Sequence, residues 1–153
     1  MARISIGDFI AISTLLKKLC TDCKAASDDF NDLSQFVESS RYAVDSARYS
    51  LENVFDDLPP VHKQSISPAL WGLHGVARDL DAELAQYAIM GKPKAGVRGA
   101  MMTVKFVLLA NPRDAEAKLS TRVSMLNTCI SAIIWYVYSI FLLGKALIDL
   151  HIQ

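Results

Sequence analysis

Apolar residues recur at alternating spacings of three and four along four long stretches of the chain, and no stretch shows a convincing strand alternation or hairpin turn. Threes and fours put side chains on one face of a helix, whereas strict alternation marks a half-buried strand. In residues 5–24 the inward set is Phe9, Ile12, Leu16, Leu19 and Cys23. Ser27, Asp28 and Asp29 then supply capping groups for the next helix. That helix starts at Phe30 and carries the cleanest heptad seam: Leu33, Val37, Ser40, Val44, Ala47, Leu51 and Val54, separated mostly by charged, amide or hydroxyl residues. Its end is expected near Asp56 and Asp57, ahead of the Pro59-Pro60 break.

Ser67-Pro68 reads as the opening of a third helix, a cap followed by proline at the first helical position. Its seam is Leu70, Leu73, Ala77, Leu80, Leu84 and Tyr87, with Gly72 and Gly75 either weakening the first turns or permitting a close crossing. A glycine-rich basic loop follows over 91–99. Residues 101–110 (MMTVKFVLLA) fit a short helix or a strand, and the lack of a partner strand favours a short fifth helix. Asn111-Pro112 restarts the chain into a last long helix. Its seam runs through Leu119, Val123, Leu126, Ile130, Ile133, Val137, Ile140, Gly144 and Leu147. Long helices with one apolar stripe each, joined by shorter links, predict a single all-α domain: an up-and-down bundle of four long helices plus the short fifth.

Composition agrees with a packed domain. The 153 residues are 52% hydrophobic and 21% charged, a globular rather than a disordered balance. Sixteen basic and sixteen acidic side chains cancel, so there is no global basic excess of the kind nucleic-acid binders use, and little charge to oppose self-association. Three cysteines make no disulfide framework and the N-terminus lacks a secretory pattern, which points to a reducing, cytoplasmic setting.

Mean hydropathy is +0.24, and much of the excess sits in residues 123–144, which contain no charged side chain. About 22 residues suffice to cross a bilayer. Against a span, Ser124, Asn127, Thr128 and Ser131 make the first half amphipathic, and only 133–143 is apolar almost all round. A helix buried in the bundle is the preferred expectation, with peripheral or conditional membrane contact next. Either way Trp135, Tyr138, Phe141 and Leu142 lie largely outside one bundle stripe and need cover from a second subunit, another domain or lipid. They are the candidate interaction residues.

No constellation carries catalytic chemistry. Cys20 and Cys23 form one C-x-x-C with neither a second pair nor suitably spaced histidines, so core cysteines are expected rather than a metal or redox site. Gly91 and Gly96 have phosphate-loop spacing, but Val97-Arg98 stand where lysine and a hydroxyl residue are required. Lys92, Lys94, Arg98 and Lys105 are instead expected as the basic side chains of a solvated inter-helix loop and its flank, with contact to anionic lipid or an acidic partner as the alternative. Asp79, Asp81 and Glu83 have no Glu-x-x-His companion for a di-iron site. A non-enzyme without cofactor or evident small-molecule substrate is expected, working through a protein partner or through copies of itself.

Ser5-Ile6-Gly7-Asp8, apolar spacing through Leu16, Lys24-Ala25, Phe30, Leu33-Ser34, Val37 and Ser39-Ser40-Arg41 together form a recognisable pattern. KFVLL ending at Leu109 and Ser124-Met125-Leu126-Asn127 extend it to the other end of the chain. The pattern resembles the N-terminal helical domains of fungal STAND-type NTPase receptors and the HeLo-like group. That resemblance implies a helical bundle in fungal signalling, non-self recognition or programmed cell death, with some members reaching a membrane through their first helix. Asp8, Lys17 and Lys18 make the first helix here a poor inserting segment.

Overall fold

The computed structural model describes residues 4–26, 30–90 and 112–152, and among these every regular element is a helix. Helix α1 is Ile6–Ala26, α2 Asn31–Leu51, α3 Pro60–Met90 and α4 Pro112–His151. Four long helices are therefore as expected. The short fifth helix at 101–110 and the capping triplet at 27–29 lie outside the described residues.

The start of α1 is fixed locally. Asp8 accepts the backbone N–H of Ser5 at 2.6 Å and its hydroxyl at 2.9 Å, so the acid that interrupts the apolar run serves to close the first turn. All five expected inward residues of α1 are buried. On α2 the seam is buried from Leu33 to Leu51, with Ser40 satisfying its hydroxyl on the Phe36 carbonyl at 2.7 Å. Each fully buried leucine, isoleucine or phenylalanine in such a seam contributes about 1.5–3 kcal/mol, which the isolated helices could not supply.

Two boundaries differ from the sequence reading. Helix α2 gives way at Leu51 to a run of turns, and its linker buries Phe55 and Leu58. Phe55 meets Phe9 edge-on at 6.2 Å, closing one end of the core. Helix α3 opens at Pro60, a full two turns before Ser67, and carries Pro68 inside it. Proline at the first position leaves no unmet donor, and Pro59 accepts from His62 N at 3.0 Å. Ile66 is fully buried and anchors the added turns, while exposed Pro68 leaves its orphaned carbonyl on the solvent side.

The helices alternate in direction. Ser13 reaches Asp45 and Lys24 reaches Glu38, so α1 and α2 are antiparallel. Lys18 pairs with Asp81, and Ala25 and Ala26 lie beside Leu84 and Ala88, so α1 and α3 run parallel. Cys129 reaches Ser65, and the Tyr136 ring reaches His62, which makes α3 and α4 antiparallel. Around the bundle the order is α1, α2, α4, α3, which sets α2 and α3 on a diagonal and sends their linker across the end of the core.

Candidate interaction surface

Helix α4 is twice as long as α1 or α2, 40 residues against 21. At 1.5 Å per residue that is about 60 Å against about 32 Å. Leu119, Leu126, Ile130 and Ile133 are buried between α2 and α3, and Val123 and Val137 pack at the margin. Past Val137 the cover ends. Every residue from 138 to 152 is exposed.

This corrects the expectation of a helix buried along its whole seam. Ile133 is 1% exposed but Ile140 is 51% and Leu147 61%. Leu143, Ile148, Leu150 and Ile152 are equally uncovered. The cause is length: the bundle stops where the α2–α3 linker and the first turn of α3 stop, marked by the His62–Tyr136 ring contact at 4.3 Å.

The four candidate residues all lie in or beside this projection and all are exposed, Trp135 at 70% and Phe141 at 67%. Trp135 and Tyr138 meet edge to face at 6.4 Å, three positions apart on the same side of the helix. Tyr138 and Leu142 continue that side, while Phe141 sits on the flank towards the seam. The sequence reading missed Leu143, Ile148, Leu150 and Ile152, and counted Ile140 and Leu147 as core. Nine large apolar side chains stand exposed between positions 138 and 152. Together they present on the order of 1,000 Å², against about 300–600 Å² for the largest apolar patch on a typical monomer.

Charge is sparse on the projection and concentrated at its base. Lys145 and Asp149 are one turn apart on the side away from the seam, and His151 closes the helix. Around the base, the exposed acids Glu52, Asp56 and Asp57 line the linker, and Lys63 donates to the Asp56 carbonyl at 3.0 Å. The basic candidates Lys92, Lys94, Arg98 and Lys105 lie outside the described residues.

Other chemistry-bearing groups lie in and along the bundle. Cys20 and Cys23 are buried and unbonded to each other. Burial pushes the Cys23 thiol up to about 12, with the charges of Cys20 and Asp22 adding to it, so the thiolate a metal or a redox step needs is suppressed. Cys20 donates to the Ser34 carbonyl at 3.6 Å. Between α3 and α4, Glu83 is held above its ordinary range by burial and by nearby Asp79, facing the Lys118–Asp114 pair at 2.5 Å. Among the described residues no group of three or more His, Cys, Asp and Glu side chains comes together in a metal-binding arrangement.

Among the described residues, open grooves flank the bundle, and two are the roomier. One of about 330 Å³ lies between α1 and α3 beside the Lys18–Asp81 pair. The other, about 590 Å³, lies between α2 and α4 and is walled by hydroxyl and amide side chains with Phe36 and Val123. On the outer face of α2, Arg41 and Arg48 lie over the exposed rings of Tyr42 and Tyr49 at 4.5 and 4.2 Å. Neither groove aligns a nucleophile with a base, and neither approaches the apolar projection in exposed apolar surface.

No family model matches the chain, and no curated protein or solved structure matches it either.

Proposed function

We propose that this chain is a non-catalytic helical interaction module in which the bundle is the scaffold and the projecting part of α4 makes the contact. The observation that carries the reading is the exposure of residues 138–152 on a helix whose preceding half is packed into the core. Water does not tolerate that much apolar area without a compensating partner, and the surface is presented on a rigid element. Suppression of the Cys23 thiolate supports a structural role for the C-x-x-C. The resemblance of the opening segment to fungal HeLo-like domains supports a place in signalling or regulated cell death, in the cytoplasm and able to self-associate.

The test is the state of the full-length chain in its native cells. An interaction module runs in an assembly larger than one chain in the soluble fraction, and Trp135→Asp with Phe141→Asp returns it to monomer size. A chain that stays monomeric in cells, with or without those changes, defeats the reading.

One observation favours a second reading. Helix α4 is long and apolar enough to cross a membrane by length and composition, and only 17% of its most apolar window is buried. On that reading the projection enters lipid. It predicts that the chain co-sediments with neutral vesicles and that Ile134→Lys or Phe141→Lys abolishes this while the bundle stays folded. No binding to neutral or anionic vesicles defeats it.

A further inference from the structure

The exposed part of α4 keeps the heptad spacing of the buried part. Ile133 and Val137 close the seam inside the bundle, and Ile140, Gly144, Leu147 and His151 continue it outside. Inside, the seam is covered by helices of the same chain. Outside, the same pattern calls for a helix from elsewhere.

The pattern is also its own complement. The positions 140, 144, 147 and 151 are symmetric about the midpoint between Lys145 and Ala146. An antiparallel copy therefore sets the isoleucine against the histidine, and the glycine against the leucine, twice over. That is the geometry a two-fold contact requires, because the same patch must serve both sides. Gly144 fits the role. A side chain added there would meet nothing within 4 Å in this chain, so the missing Cβ relieves no internal crowding. It leaves a notch on an exposed seam, opposite the position of a leucine.

We propose that residues 138–151 of α4 pair antiparallel with the same segment of a second copy of this chain, Gly144 against the partner's Leu147 and Ile140 against the partner's His151. The proposal rests on the interaction reading above and names its partner. Area is that of a small contact: Ile140, Phe141, Leu143, Leu147 and Ile148 lie on or beside the seam and are 51–67% exposed, which brings on the order of 500 Å² from each copy, at the low end of specific interfaces. Polarity agrees. Lys145, Asp149 and Ser139 lie away from the seam and remain in water in the pair, whereas a lipid bilayer would surround Lys145 and Asp149.

Charge at the base points the same way. The acidic linker with Glu52, Asp56 and Asp57 repels an anionic bilayer, whereas in the pair it lies at the end where the register brings the partner's His151. The N-termini of α1 and α3 open at this end too, so their dipoles face the C-terminal end of the partner helix.

Sedimentation velocity and light scattering of the purified full chain are the first measurement, and a dimer mass at micromolar concentration is expected. Leu147→Glu lies on the seam and gives a monomer with unchanged helicity and urea midpoint. Leu142→Glu lies on the opposite side and leaves the dimer intact. Register is read by mixing an Ile140→Cys chain with a His151→Cys chain, both carrying Cys129→Ser. Oxidation links the mixture and neither chain alone, because like positions are about 16 Å apart along an antiparallel pair. Self-linking of either chain alone shows parallel pairing and overturns the proposal, as does a monomer at all concentrations. A purified monomer that still runs in a soluble cellular assembly dispersed by Trp135→Asp and Phe141→Asp overturns the dimer and leaves the broader interaction reading standing.

Discussion

The two parts of α4 share a sequence pattern and differ in everything the pattern is meant to secure. Leu119, Leu126 and Ile133 are at most 1% exposed, while Leu147, Ile148 and Leu150 are more than 60% exposed. Nothing in helix propensity separates the two parts. The difference is made by what stands alongside: α2 and α3 flank the first part and end before the second. Periodicity therefore names the face a helix offers, and only neighbours of matching length decide whether the face is taken.

The sharpest way to break that contrast is amide exchange. In the dilute monomer, amides around Leu126 and Ile130 should open only with global unfolding, at roughly 5–15 kcal/mol, while those from Ile140 to Leu150 exchange with little protection. Equal protection along α4 in the monomer would show that the projection has cover within the chain. Next in size is the cavity test. Leu126→Ala should cost about 3 kcal/mol in urea unfolding, and Leu147→Ala, measured where the chain is monomeric, within about 0.5 kcal/mol of zero.

A third test sets core chemistry against the solvent. The Cys23 thiol titrates near 9 when unfolded and is pushed to about 12 in the fold, so the native state prefers the protonated form. Its stabilising effect is complete below pH 9 and declines as pH rises from 9 towards 12. Urea midpoints should fall over that window in the native chain and stay flatter in Cys23→Ala. A cysteine placed at Leu147 should alkylate at neutral pH while Cys23 stays protected until the chain unfolds.

The smallest expected effects come from two glycines. A Cβ on Gly72 would lie 2.6 Å from Arg122 Nε, so Gly72→Ala displaces that side chain and offsets the helix gain of about 1 kcal/mol, leaving stability nearly unchanged. Gly144→Ala meets nothing and keeps the full gain. It should appear as slower exchange in the projection of the monomer, with no shift of the unfolding midpoint, because the projection is not part of the cooperative core.

Much of the fold was legible. Phe9, Ile12, Leu16, Leu19 and Cys23 are buried as their spacing requires, and the α2 seam from Leu33 to Leu51 follows. Pro112 opens α4 where Asn111-Pro112 predicted a restart. Pro68 misled, because proline on a solvent-facing side is tolerated inside a helix when a buried neighbour such as Ile66 holds the turn before it. Phe55 and Leu58 were missed because a linker that folds back over a core has no period to detect. On the last part of α4, the excess of Trp135, Tyr138, Phe141 and Leu142 over one stripe anticipated their exposure, but Ile140 and Leu147 were assigned to the core. The signal that would have corrected this was present: a helix of 40 residues cannot be covered along its length by neighbours of 21 and 31.

Neither glycine nor proline interrupts α4 between Leu119 and Val137, so the helix passes from core to solvent as one stiff rod. Such a rod is a lever. A partner that tilts or turns the projecting arm moves Ile130 and Ile133 by the same rotation, against α3 on one side and α2 on the other. Occupancy at the far end is thereby registered as strain or relief between packed layers some 20 Å away, through a single continuous helix.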